Sequence, residues 1–143
     1  MKIDELMLGD WVRVNDPNGP FCSRVYGLSL EPSDIYAKEP DLTFAYPYDE
    51  DCVDPIPLTP EILEKNGFEK LDFSHFQIGD RRLVLDADGR WDGPLSWHWV
   101  VTEMDTNAKG QPVVLDYYVA TISYVHELQN ALRICGIEKE VEL

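Results

Sequence analysis

His126, Gln129 and Asn130 fall within about one helical turn on the flank of an apolar stripe. Two amides and an imidazole so placed can be presented to a ligand. They can equally tie their helix to a neighbouring loop through hydrogen bonds to backbone groups, which is the expected use. Trp97-His98-Trp99 sets a second histidine between two indoles. With Trp11 and Trp91, these rings could line an aromatic pocket or fill the core of a small β-rich domain. Core filling is expected. Asp49-Glu50-Asp51 is a third candidate, a carboxylate surface suited to a basic partner.

Other chemistries lack their spacing. The histidines (His75, His98, His126) and cysteines (Cys22, Cys52, Cys135) form neither a C-x-x-C nor an H-x-x-x-H pair, so no metal is expected. Asp86-Ala87-Asp88-Gly89-Arg90-Trp91-Asp92 superficially resembles a calcium loop. Its glycine, however, comes at position 4 and its twelfth place holds Trp97, so an Asp88-Gly89 hairpin turn is expected instead. Gly-x-Ser-x-Gly, His-Glu-x-x-His and phosphate-cradling glycine loops do not occur. Neither a catalytic residue nor a cofactor is expected, and the balance leans away from an enzyme.

Charge narrows the partners. Of 143 residues, 12 are Lys or Arg and 27 are Asp or Glu, a formal charge of −15. Nucleic-acid affinity rests on Lys and Arg at phosphates, so direct DNA or RNA binding is not expected, nor is attachment to anionic membranes. Another protein, of basic character, is the easier partner. No apolar run approaches the ~18 residues of a membrane span. Met1-Lys2-Ile3-Asp4-Glu5 is charged at once and does not read as a signal peptide. Sparse, odd-numbered cysteines suit a reducing, cytoplasmic setting.

The positioning elements read mostly as strands. Trp11–Val14 is aromatic and β-branched, Asn15 to Pro20 is a turn, and Phe21–Leu30 is the expected return strand. From Glu31 to Asp54, eight acids face one base, Lys38, which suits a long connection at about 31–55 with one short strand near Leu42–Tyr46. Thr59-Pro60-Glu61 opens a short helix that Gly67 stops, with Ile62, Leu63 and Phe68 available for docking. Strand-like runs at Phe73–Ile78, Arg82–Leu85, Leu95–Glu103 and Pro112–Ala120 alternate with turns, as in an antiparallel meander.

Thr121 or Ser123 should cap a second helix, about Tyr124 to Cys135, with Val125, Leu128 and Leu132 inward and Glu127 and Arg133 in water. His126 is expected at the stripe's margin, bonded to backbone or to Asn130. Ile137–Leu143 alternates like a short acidic edge strand. The sum is one α+β domain over 1–143, mainly antiparallel β in an SH3-like or open-barrel sheet, with two helices packed on it.

Three stretches, Leu6 to Val12, Ile56 to Phe68 and Tyr124 to Asn130 (Tyr-Val-His-Glu-Leu-Gln-Asn), together resemble a group of uncharacterised small proteins from gut-bacterial prophages and mobile elements. The resemblance implies a genomic neighbourhood and no activity, and it does not cover the acidic stretch. The expected function is a non-enzymatic protein-interaction module of a phage or mobile element, acting in the cytoplasm. One rival is an acidic nucleic-acid mimic that blocks a DNA-binding host protein. A second is a small hydrolase or ligand-binding protein with an aromatic-lined pocket.

Overall fold

The computed structural model describes residues 1–85 and 95–143, and for residues 102, 103 and 116–118 the backbone alone. The Asp88-Gly89 hairpin turn, the Asp92-Gly93-Pro94 turn and Trp91 lie outside the described residues. The first strands are β1 (Trp11–Val14), β2 (Phe21–Arg24), β3 (Gly27–Leu30), β4 (Ser33–Ala37), β5 (Tyr46–Asp49) and β6 (Val53–Pro55). There follow α1 (Pro60–Lys65), β7 (Glu69–Asp72), β8 (His75–Ile78), β9 (Arg81–Leu85), β10 (Trp97–Thr106), β11 (Pro112–Ile122) and α2 (Val125–Ile134). The chain is therefore α+β and mainly antiparallel β, in three sheets among the described residues, none of which closes on itself. No helix among the described residues is long and apolar enough to cross a membrane.

These residues gather into two compact units, Met1–Ile56 with Tyr124–Glu138, and Pro57–Ser123 with Lys139–Leu143. The first holds two small sheets, ordered β2-β1-β6 and β3-β4-β5. Its core is Ile3, Leu6, Val12, Val14, Val25, Ile35, Ala37 and Val53, with Phe21, Leu28 and Tyr48 packed against it. Alternation on β1 does this directly: Val12 and Val14 are buried while Arg13 between them is exposed.

Two expectations for this unit need correction. Phe21–Leu30 is not one strand. It leaves β1 after Arg24 and pairs with β4 from Gly27, because Val25 N–H is taken by Asp10 O and Tyr26 N–H by Tyr36 O. Nor does 31–55 hold just one short strand near Leu42–Tyr46: it contains β4, β5 and β6, while Leu42–Phe44 lies outside any strand. Ile35 and Ala37 alternate inward on β4, and the acids Asp34 and Asp49 sit opposite each other on its outer side. Charge there marks one face of a sheet.

The second unit is the meander, ordered β11-β10-β9-β8-β7, so each strand pairs with its sequence neighbour. The β7 strand was not expected, for Glu69-Lys70-Leu71-Asp72 is exposed throughout and carries no inward alternation. The short helix forms as expected. Thr59 Oγ1 accepts from Ile62 N–H, Pro60 opens the first turn, and Gly67 at φ +82° lets Phe68 N–H return to Leu63 O.

The C-terminal residues of this unit form no strand; instead Asn66, itself buried, clamps the backbone of Glu142. Its Nδ2 donates to Glu142 O, and Glu142 N–H donates to its Oδ1, both at 2.7 Å. This two-way bond supplies what a ladder would, and Val141 is buried beside it in sequence.

In α2, Val125, Leu128 and Leu132 are buried as the stripe requires. The cap comes from neither Thr121 nor Ser123: Glu127 reaches back so that Tyr124 N–H donates to its Oε1 at 3.1 Å. Leu128→Ala should cost about 2–5 kcal/mol, because a fully buried leucine leaves a cavity that its rigid neighbours cannot fill. Urea melts of the variant against wild type measure this, and a loss below about 1 kcal/mol would mean that the helix face is not packed.

Candidate functional site

The proposed polar triplet of α2 divides into different roles. Gln129 is buried and ties the helix to the bend before β1: Trp11 N–H donates to its Oε1 at 2.8 Å, and its Nε2 donates to Gly9 O at 3.1 Å. Asn130 accepts from Arg133 Nη1 at 2.8 Å, and that same nitrogen donates to Asp10 Oδ1 at 2.9 Å. Asp10 has no exposed surface, and its other oxygen accepts Met7 N–H at 2.9 Å. Helix α2 thus reads the Gly9-Asp10-Trp11 bend through amide, carboxylate and guanidinium together. Asp10 and Arg133 were not foreseen, and Arg133, expected in water, has an ion pair on its way there.

His126 departs from expectation. It is 95% buried by area, and its Nδ1 bonds to neither backbone nor Asn130, nor to any other described residue. Its ring stacks on Tyr124 at a centroid separation of 6.0 Å and an interplanar angle of 17°. Burial pushes the imidazole below its ordinary value of 6.5, while Glu127, Asp10 and Glu5 pull the other way and by less. The unfolded chain therefore takes up a proton near pH 6.5 that the folded chain resists, so stability is full above that pH and falls as pH drops through it.

Of the aromatic cluster, Trp97 and Trp99 are fully buried, Trp97 meeting Phe76 edge-on at 5.5 Å. They belong to the core of the meander, and neither indole N–H has a partner among the described residues. His98, half-buried between them in sequence, points to the opposite face of β10. His75 is elsewhere on the meander, its Nδ1 2.8 Å from Asp72 Oδ1, and Asp72 is held down to about 2 by that bond first and by Ser74 second. Among the described residues, no three His, Cys, Asp or Glu gather as metal ligands would.

The acidic triplet is partly structural. Asp49 accepts Asp51 N–H at 2.9 Å and opens a single turn, while Glu50 Oε2 accepts Ile3 N–H at 3.2 Å. Asp49 and Asp51 remain exposed. Trp11 lines a groove in the first unit. Arg24 lies directly across from it on β2 and holds its guanidinium carbon 4.7 Å from the indole centroid. Cys22, Ser23, Tyr26, Lys38 and Pro40 complete a groove of about 180 Å³. The meander has a broader one of about 480 Å³, lined by Gln77, Gly79, Asp80, Arg82, Met104 and Val114.

Compared with protein-family models, curated proteins and solved structures, the chain matches none.

The His126 environment yields a measurable pH dependence. Between about pH 7.5 and 5.5, wild type should lose more unfolding free energy than His126→Phe, which keeps a stacked ring but takes up no proton. Equal losses would place the titrating group elsewhere.

Proposed function

We propose that the protein is a non-enzymatic protein-interaction module that binds through its β10–β11 ribbon. One observation carries this reading. β9 pairs with β10 only as far as Val101, whereas β10 and β11 continue together to Thr106 and Pro112. Among the described residues, no strand pairs with the other edge of β10 beyond that point. Met104 and Val114 sit opposite each other on this ribbon, 68% and 59% exposed, beside the broader groove. An open edge next to exposed apolar side chains suits an extended partner segment added as a further strand. The chain's charge of −15 favours a basic one. The resemblance of Leu6–Val12, Ile56–Phe68 and Tyr124–Asn130 to small prophage proteins supports a phage or mobile-element role in a bacterial cytoplasm. An SH3-like or open-barrel arrangement of strands belongs to the same reading, supported by the two small antiparallel sheets of the first unit.

Met104→Thr/Val114→Thr should leave the melting curve within about 0.5 kcal/mol of wild type, since both side chains are exposed and no like charges are set opposite each other. Partner captured by immobilised wild type should fall about tenfold or more with the variant, as when an interface loses its anchors. Undiminished capture would remove the ribbon as the interface.

A second reading, an acidic nucleic-acid mimic, is favoured by one contact. Asp34 on β4 lies directly across from Asp49 on β5, and like charges so placed repel. Two carboxylates held at adjacent strand spacing can stand in for neighbouring phosphates facing a basic cleft. Under this reading Asp34→Asn gains roughly 0.2–1 kcal/mol of stability by relieving the pair. The same variant loses a partner that wild type releases when salt rises from about 50 to 500 mM. A partner retained at high salt would count against mimicry.

A further inference from the structure

The groove around Trp11 concentrates positive charge in a chain where acids outnumber bases by 27 to 12. Its construction is local. Arg24 sits over the Trp11 ring and donates through Nη1 to Gly9 O at 3.4 Å. Lys38 places its ammonium 5.9 Å from the ring centroid of Tyr26, a residue that is 52% exposed. The two cation-bearing segments are held by one buried hydroxyl: Ser23 Oγ accepts Lys38 N–H at 2.9 Å and donates to Arg24 O at 2.8 Å. Tyr26 N–H donates to Tyr36 O at 2.8 Å, which fixes the backbone at the aromatic end.

Each cation is thus seated on a ring face before any ligand arrives. A guanidinium and an ammonium lining one groove favour an anion there over a cation. A guanidinium fork matches the oxygens of a carboxylate or phosphate, while an ammonium adds a point charge. The volume sets the upper size: about 180 Å³ falls below the ~300–1,000 Å³ of pockets for drug-sized ligands.

We infer that the Trp11–Arg24–Tyr26–Lys38 groove binds a small oxyanion, a carboxylate or phosphate carried on a group no larger than one side chain. Its free and peptide-borne sources share this chemistry, and the choice of probes separates them.

The test is an NMR titration of the full chain at constant ionic strength, with chloride as the balancing ion. Inorganic phosphate, succinate and a blocked Gly-Glu-Gly peptide are the probes. The Trp11 indole N–H and the Ser23 and Lys38 amides should shift saturably with at least one of them, and which one names the source. Arg24→Gln and Lys38→Gln should each weaken that binding about tenfold, equivalent to 1.4 kcal/mol. Arg24→Lys, which keeps the charge and the ring contact but loses the fork, should fall between wild type and Arg24→Gln. Thermal melts of all three variants establish that they fold; Lys38→Gln alters only a side-chain tip and serves as the variant least able to disturb folding. Shifts that stay linear with every probe, or that saturate unchanged in folded Lys38→Gln and Arg24→Gln, would overturn the assignment.

Discussion

A carboxylate with no exposed surface is costly unless it is paired and fully bonded, and Asp10 meets that condition through groups far apart in sequence. One oxygen takes Met7 N–H, the other takes Arg133, and Asp10's own backbone N–H and C=O are bonded to Met7 O and Val25 N–H. Gly9, at φ +87°, makes the bend that brings these groups together. The polar ties of α2 to the Gly9-Asp10-Trp11 bend follow from satisfying this corner: Gln129 bonds the residues on either side of it, and Trp11 starts β1 from it. The groove wall of Trp11 and Arg24 is in turn set by the register that begins there.

Signals that act over a few residues were legible in the sequence. The Thr59-Pro60 start and Gly67 stop of α1, the strand Trp11–Val14, and the stripe of α2 need only nearest neighbours and periodicity. The Asn107-to-Gly110 turn between β10 and β11 is of the same kind, with Asn107 Oδ1 taking the N–H groups of Lys109 and Gln111. What stayed hidden depends on partners distant in the chain. Nothing between Phe21 and Leu30 announces that the strand changes sheets, because the change is dictated by Asp10 and Tyr36. The acids of 31–54 masked the alternation of Ile35 and Ala37, since composition averages over a pattern of period two.

The candidate residues show the same division. Gln129 behaves as the helix-to-loop tie that its position suggested, whereas His126 is more deeply enclosed than a marginal residue would be. Trp97 and Trp99 are core, so the aromatic-lined space falls to Trp11 and Tyr26. No local spacing connects Trp11, Arg24 and Lys38; cross-strand pairing and one serine hydroxyl do. Arg24 and Lys38 were passed over because an excess of acids directs attention to the negative surface. In such a chain, where the few bases converge carries more information.

The first unit is discontinuous, its strands and α2 being separated by the residues that build the meander. Trp11 and the glutamine that accepts its N–H are 118 positions apart. On a ribosome adding about 5–20 residues per second, that separation is a wait of roughly 6–24 s. Throughout it, the Asp10 carboxylate has no guanidinium and the Gly9–Trp11 backbone lacks its amide partner. The meander, whose strands pair in sequence order, can assemble during this interval from local contacts alone. The nascent chain is therefore expected to pair its meander strands before the N-terminal strands acquire their bonds to α2.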